Sequence, residues 1–106
     1  MVEEDAKALL ALANPNRLQM LTVIGPDGTT GDRLAARFPD ISEDMFWWNM
    51  RWLLRADLVQ RDRVAAGDRR SWMYRLNMAG FAALADRLSR PADHYTPLSD
   101  TPAIDA

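Results

Sequence analysis

Apolar positions recur along the chain first at helical spacing and then in alternation, and the change of period marks where helix gives way to strand. Residues 3–13, "EEDAKALLALA", read as a helix. Acids lead it, where the helix dipole favours negative charge, and Leu9, Leu10 and Ala13 supply an apolar face. "NPNR" sets a second start, with Asn14 as a cap and Pro15 suited to a first turn. Leu18, Leu21, Val23 and Ile24 form its buried side, and Gly25-Pro26 ends it. After the turn composition of "GPDGTT", Thr30 caps a short third helix, "GDRLAARF", with Leu34, Ala35 and Phe38 inward. Ser42 caps a fourth, with Glu43 and Asp44 in its first turn. It runs to Ala56, and Phe46, Met50 and Leu53 share one face.

The period then shortens. "LVQRDRV" and "RSWMYRL" alternate, and the "AAGD" between them offers Gly67-Asp68 as a tight connection. "NMAGFAALADRLS" returns to helix, with Asn77 as cap and Phe81, Leu84 and Leu88 on one side. From Arg90 onward, "RPADHYTPLSDTPAIDA" has three prolines and no helical period. The expectation is one mainly α domain with a β-hairpin over residues 1–89, in the order α-α-α-α-β-β-α, and a flexible acidic tail over 90–106.

Composition narrows the function. The chain has 106 residues, enough for one core; 48% are apolar and 26% charged, which is the balance of a folded domain. No apolar run reaches the ~20 residues that span a bilayer, so no membrane partner is expected. The start carries acids where a secretory signal would carry Lys or Arg, which predicts a cytoplasmic protein. There is no cysteine and one histidine, which excludes disulfides, thiolate metal sites and multi-histidine sites. The formal charge is −2, yet residues 58–77 hold Arg61, Arg63, Arg69, Arg70 and Arg75 against Asp62 and Asp68 alone. No nucleophile motif, histidine dyad or glycine-rich phosphate loop is present, and the acid pairs Glu3-Glu4 and Glu43-Asp44 sit at helix starts, where the dipole explains them. An enzyme is not expected.

Two short helices joined by a tight turn and followed by an arginine-bearing hairpin make a winged helix-turn-helix. The residues resemble a family with that fold. "ALANPNRLQMLTVI" looks like the opening of ArsR-type transcriptional regulators, "DRLAARF" with "ISEDMFWWNMRWLLRADLV" is similar to their helix-turn-helix, and "WMYRLNMAGFAAL" resembles their second wing strand and last helix. The likeness spans residues 6–88. It implies a homodimer in which first and last helices pack across a two-fold axis, making Leu9, Leu10, Phe81, Leu84 and Leu88 the dimer candidates; the other use for these residues is the core of a single chain.

The sequence departs from the family in two places. Many ArsR-type proteins sense metals through cysteines, or through Asp and His on the last helix. Here only Asp86, Asp93 and His94 lie near the end, so no metal or other cofactor is expected. The second departure is the fourth helix. With Phe46, Met50 and Leu53 inward, its opposite face presents Asp44, Trp47, Trp48, Arg51 and Arg55, flanked by Met45 and Leu54. Helix neighbours point about 100° apart, so at least one of Trp47 and Trp48 must be exposed. The tryptophans can pack in the core or under the wing, as expected for Trp52 near Trp72. They can touch DNA, or they can dock another protein or an organic effector.

The leading reading is a dimeric DNA-binding transcriptional regulator without metal sensing. The recognition helix 42–56 enters the major groove of double-stranded DNA with Ser42, Trp47, Trp48, Arg51 and Arg55. The wing holds the backbone with Arg61, Arg63, Arg69 and Arg70, whose guanidinium groups match phosphate oxygens; a solvated, charge-protected edge strand is the plainer account of them. The alternative is a winged-helix interaction module that docks a partner through the Trp-rich fourth helix.

Overall fold

Short polar side chains set where the helices of this chain begin. The structure, a computed structural model, describes residues 3–89. After α1 (Glu3–Leu12), Asn14 caps α2 (Pro15–Ile24): its Oδ1 accepts the N–H groups of Asn16 and Arg17 at 2.9 and 3.2 Å. Thr30 caps α3 (Gly31–Ala36) by accepting Arg33 N–H at 3.3 Å, and Ser42 caps α4 (Glu43–Arg55) by accepting Met45 N–H at 3.2 Å. Each cap satisfies a donor that the helix cannot, worth about 0.5–2 kcal/mol.

α4 closes where Asp57 takes a left-handed backbone at φ 63°. Leu58 N–H bonds the Leu53 carbonyl and Asp57 N–H bonds that of Leu54, both at 3.1 Å, which is the bond pattern of a Schellman turn. α5 (Met78–Ser89) starts against this turn. Asn77, expected to cap α5 with its side chain, instead donates Nδ2 to the Asp57 carbonyl at 2.9 Å. Gly80 lets the backbones meet, since a Cβ there would lie 1.9 Å from the same oxygen.

The expected hairpin is present as β2 (Val59–Asp62) and β3 (Met73–Leu76), antiparallel, with Gln60 opposite Arg75 and Asp62 opposite Met73. It is shorter than the alternating stretches, and its connection is not a tight turn at Gly67-Asp68 but the ten-residue loop 63–72. Two successive turns build the loop: Gly67 N–H bonds the Val64 carbonyl at 2.9 Å, and the Asp68 carbonyl accepts Ser71 and Trp72 N–H at 3.0 and 3.1 Å. A two-residue strand, β1 (Thr29–Thr30), pairs with the other edge of β3 and gives the order β1-β3-β2. Two residues are too few to show an alternating period, so this strand was invisible in the sequence. The mainly α architecture with a hairpin wing is as expected.

The core gathers Met20, Leu21 and Ile24 of α2, Leu34, Phe38, then Phe46, Met50 and Leu53 of α4, Leu58, Val59 and Tyr74. Packing fixes the inward side of three helices, and Leu18 of α2 and Leu84 of α5 depart from expectation. α1 turns Asp5, Ala8 and Ala11 inward and leaves Leu9 and Leu10 exposed, because the small alanines let the helix close against its neighbours. In α2 the buried stripe runs 17, 20, 21, 24, so Leu18, one residue off it, is exposed. In α5, Leu84 is buried in its own chain and Phe81 is packed against that core, while Leu88 is exposed. Arg87 donates Nε to buried Asp5, tying α5 to α1. Among the described residues no helix is long and apolar enough to cross a membrane. The expected tail, 90–106, lies outside the described residues.

Candidate nucleic-acid interface

The wing loop is fixed to the helix-turn-helix by backbone bonds. At the start of α3, Gly31 N–H donates to the Trp72 carbonyl at 3.1 Å and Asp32 N–H to that of Arg70 at 2.8 Å. These are first-turn donors, which have no partner within their own helix. A Cβ on Gly31 would lie 2.3 Å from the Arg69 carbonyl oxygen, so a side chain here would lift the loop away. Tyr74 Oη donates to that same carbonyl at 2.9 Å. Burial pushes the Tyr74 hydroxyl pKa above its ordinary value, so this O–H remains a donor. Further out, Arg70 forms an ion pair with Glu43 in the first turn of α4. Arg70 holds the Glu43 carboxyl below the usual carboxylate range, first by the hydrogen bond and then by its charge.

Trp47 completes this joint and corrects the sequence expectation that it faces outward. It is 8% exposed, stands edge-on to Phe46 with ring centres 4.9 Å apart, and lies 6.0 Å from Tyr74. The Arg69 guanidinium rests 4.6 Å from its ring centre. Trp47 therefore helps to carry a wing arginine and does not present its own face. Trp48, one residue on, is 48% exposed, the split that adjacent helix positions require. Trp52 packs against the core, as expected, and stands edge-on to Trp48, ring centres 5.9 Å apart. Trp72, the expected neighbour of Trp52, instead lies beneath Arg61 and Arg63, whose guanidinium carbons stand 5.4 and 5.1 Å from its ring centre.

All the wing arginines are exposed. Cation–π contact positions Arg61, Arg63 and Arg69 without cancelling their charge. Arg70 shares its charge with Glu43, and Arg75 pairs with Asp62 across the hairpin at 2.9 Å. On α4, Arg51 and Arg55 are exposed with no ion-pair partner among the described residues. Ser42 is exposed and keeps its hydroxyl oxygen on the cap bond. With Lys7 of α1, Trp48, Arg51, Trp52, Arg55 and Ala56 line a groove of about 500 Å³.

Behind this groove sits a residue that the periodicity missed. Arg17, on the buried stripe of α2, is 6% exposed. Its Nε donates to the Ala11 carbonyl at 2.8 Å and one terminal nitrogen to that of Leu10 at 3.1 Å, so it caps the open carbonyl end of α1. The other terminal nitrogen donates to Asn49 Oδ1, inside α4, at 3.2 Å. The guanidinium also lies over Trp52 and Trp48, at 4.9 and 5.7 Å. Burial lowers its pKa, yet an arginine stays protonated in a protein. An arginine on an apolar stripe, one turn after a capped start, was the available signal.

No group of three or more His, Cys, Asp or Glu is placed to hold a metal among the described residues. Asp93 and His94 lie outside them.

No family model matches this chain, and no curated protein matches it significantly. Solved structures do. An ArsR-like transcriptional regulator from Rhodococcus sp. RHA1 is 26% identical with a TM-score of 0.67, over 82% of this chain and 75% of that one. HlyU from Vibrio cholerae N16961 is 28% identical with a TM-score of 0.58, over 84% of this chain and 98% of that one. A further ArsR family transcriptional regulator, 20% identical, has a TM-score of 0.66 and shares the fold. The likeness read from the sequence therefore holds in three dimensions: the chain has the winged helix-turn-helix fold and is similar to ArsR-type regulators of solved structure.

Proposed function

We propose that this protein is a DNA-binding transcriptional regulator that acts as a homodimer and does not sense metal. α4 enters the major groove, with Trp48, Arg51 and Arg55 outward, and the wing lays Arg61, Arg63 and Arg69 along the flanking backbone. The observation that carries the reading is the joint between wing and helix. Backbone bonds at Gly31 and Asp32, the Glu43–Arg70 pair and the Trp47–Arg69 stack hold the two contact elements as one body. A duplex must be gripped at two places in fixed register, and a preformed joint removes the ordering cost of doing so. The relatives of known structure described as transcriptional regulators support the same reading.

Titration with mixed-sequence duplex DNA at low and moderate salt tests it. Counterion release predicts a log–log slope of roughly 0.9 per neutralised phosphate. A folded chain that binds no DNA at low salt overturns the reading and favours a protein partner for the α4 face, where Met45 and Trp48 are exposed beside the acids Glu43 and Asp44. For the dimer, the exposed Leu9, Leu10 and Leu88 are the contact candidates, and Leu84 leaves that set because its own chain buries it. Sedimentation of Leu10→Glu should show monomer; an unchanged dimer would take Leu10 out of the interface.

A further inference from the structure

The groove between α1 and the C-terminal half of α4 has the chemistry of a small-molecule site, and we infer that it binds an organic anion that joins a planar aromatic ring system to a carboxylate. Three properties of the lining select that class. The first is charge. Lys7, Arg51 and Arg55 contribute three cations and the lining contains no acid, in a chain whose net charge is −2. Lys7 has Glu3 one turn away at 3.8 Å, but both are exposed, and such a pair exchanges readily for a better partner. Arg51 and Arg55 are unshared among the described residues and offer the planar, two-point geometry that suits a carboxylate.

The second property is a fixed aromatic wall. Trp48 and Trp52 stand edge to face, and the Arg17 guanidinium lies over both rings. Arg17 is itself held by the carbonyls of Leu10 and Ala11 and by Asn49, so the indoles are backed by a group that cannot move freely. A wall set before the ligand arrives needs no ordering at binding. The third is size: about 500 Å³ falls in the range of small-molecule pockets and admits a molecule of two fused rings.

The site stands on the groove alone, but its consequence rests on the DNA reading above. A bound anion occupies Trp48, Arg51 and Arg55, the outward residues of α4, and cancels charge that would otherwise meet phosphate. Ligand and duplex therefore exclude one another, and the ligand acts as an effector that releases DNA.

Calorimetric titration of the purified chain with 2-naphthoate, with neutral 2-naphthamide as control, tests the site. Naphthoate should bind once per chain, and the amide at least tenfold more weakly. The double variant Arg51→Gln/Arg55→Gln and the single variant Trp48→Ala should each lose at least tenfold, with circular dichroism confirming that they fold. Lys7→Gln should weaken naphthoate at least threefold while mixed-sequence DNA binds as before, because Lys7 lies outside the proposed DNA contacts. No binding at millimolar naphthoate, equal binding of the amide, or an unaffected arginine double variant would overturn the proposal. A chain that binds DNA but not naphthoate loses only the ligand site; one that binds naphthoate but not DNA keeps the site and loses the regulator reading.

Discussion

Replacing Arg17 by methionine removes a buried cation while keeping an unbranched side chain and a similar helix preference. The structure gives the size of the effect. Three hydrogen bonds from a charged donor are lost, to Ala11, Leu10 and Asn49. Bonds to charged groups contribute about 1.5–3 kcal/mol each, so the gross loss is at least ~4.5 kcal/mol. Part is recovered, because the folded protein no longer has to strip water from a guanidinium, a penalty of several kcal/mol for a buried ion. Two α1 carbonyls and Asn49 Oδ1 are also left short of partners. The net expectation is a loss of about 2–4 kcal/mol, which for a domain of this size lowers the melting temperature by about 9–18 °C.

Thermal and urea unfolding of Arg17→Met measure this. A companion cycle sharpens it, because Asn49→Leu removes the α4 partner and leaves the α1 carbonyls unaffected. The coupling between the two sites should be about 1–2 kcal/mol, and Arg17→Met should also red-shift tryptophan emission as Trp52 loses its backing. If Arg17→Met is as stable as the parent, desolvation outweighs all three bonds. The claim that Arg17 holds α1, α2 and α4 together would then be wrong.

Other substitutions test the remaining joints. Trp47→Ala should cost about 3–5 kcal/mol as a core truncation, whereas Trp48→Ala should stay within about 1 kcal/mol; equal losses by urea unfolding would contradict their opposite burial. Gly80→Ala drives a methyl into the Asp57 carbonyl and should cost about 1–3 kcal/mol, and a neutral result would mean that the α4–α5 turn yields easily. Glu43→Gln frees Arg70 and should raise affinity for mixed-sequence DNA at low salt, an increase that filter binding or anisotropy would show. Because the Glu43 pKa is lowered on folding, its pair stabilises above the unfolded pKa and fades as pH falls through the folded one. The stability gap between parent and Glu43→Gln should therefore close in acid, and a gap that persists there would remove the ion pair as its cause.

Local signals made much of the fold legible. Asn14, Thr30 and Ser42 cap helices because short polar side chains before a periodic run have few better uses, and the face Phe46, Met50 and Leu53 follows from helix geometry alone. What stayed hidden depends on which side of an ambiguous helix meets a neighbour. Leu9 and Leu10 mark the apolar face that α1 shows in the sequence, but contact with α2 and α4 buries Ala8 and Ala11, which a hydrophobicity pattern weights lightly. Trp47 and Trp48 illustrate the same limit. Geometry required that one be exposed, yet only the position of β3 and the wing loop decides that Trp47 is covered. The partners of Arg17 and the walls of the groove were hidden for a further reason, since both come from α1 and α4, two segments far apart in the chain, and no local spacing brings them together.

Charge along α4 bears on how the proposed reader would distinguish sequences. Glu43 and Asp44 occupy its first turn and Arg51 and Arg55 its second half, the order that the helix dipole favours. In many helix-turn-helix complexes the first residues of the recognition helix contact base edges. Here that end is acidic, so close approach of its first turn to phosphate is repelled unless Arg70 stays on Glu43. Base readout then falls to the exposed middle of the helix, Trp48 and Arg51. Trp48 offers apolar contact, suited to a thymine methyl, and Arg51 the two-point bond that suits guanine, worth about 1–3 kcal/mol of discrimination. Arg51→Ala should therefore flatten sequence preference, measured by selection from a random duplex pool, more than Arg69→Ala, which should weaken all sequences alike. If Arg51→Ala also weakens all sequences alike, α4 reads no bases through this residue, and specificity must arise from duplex shape.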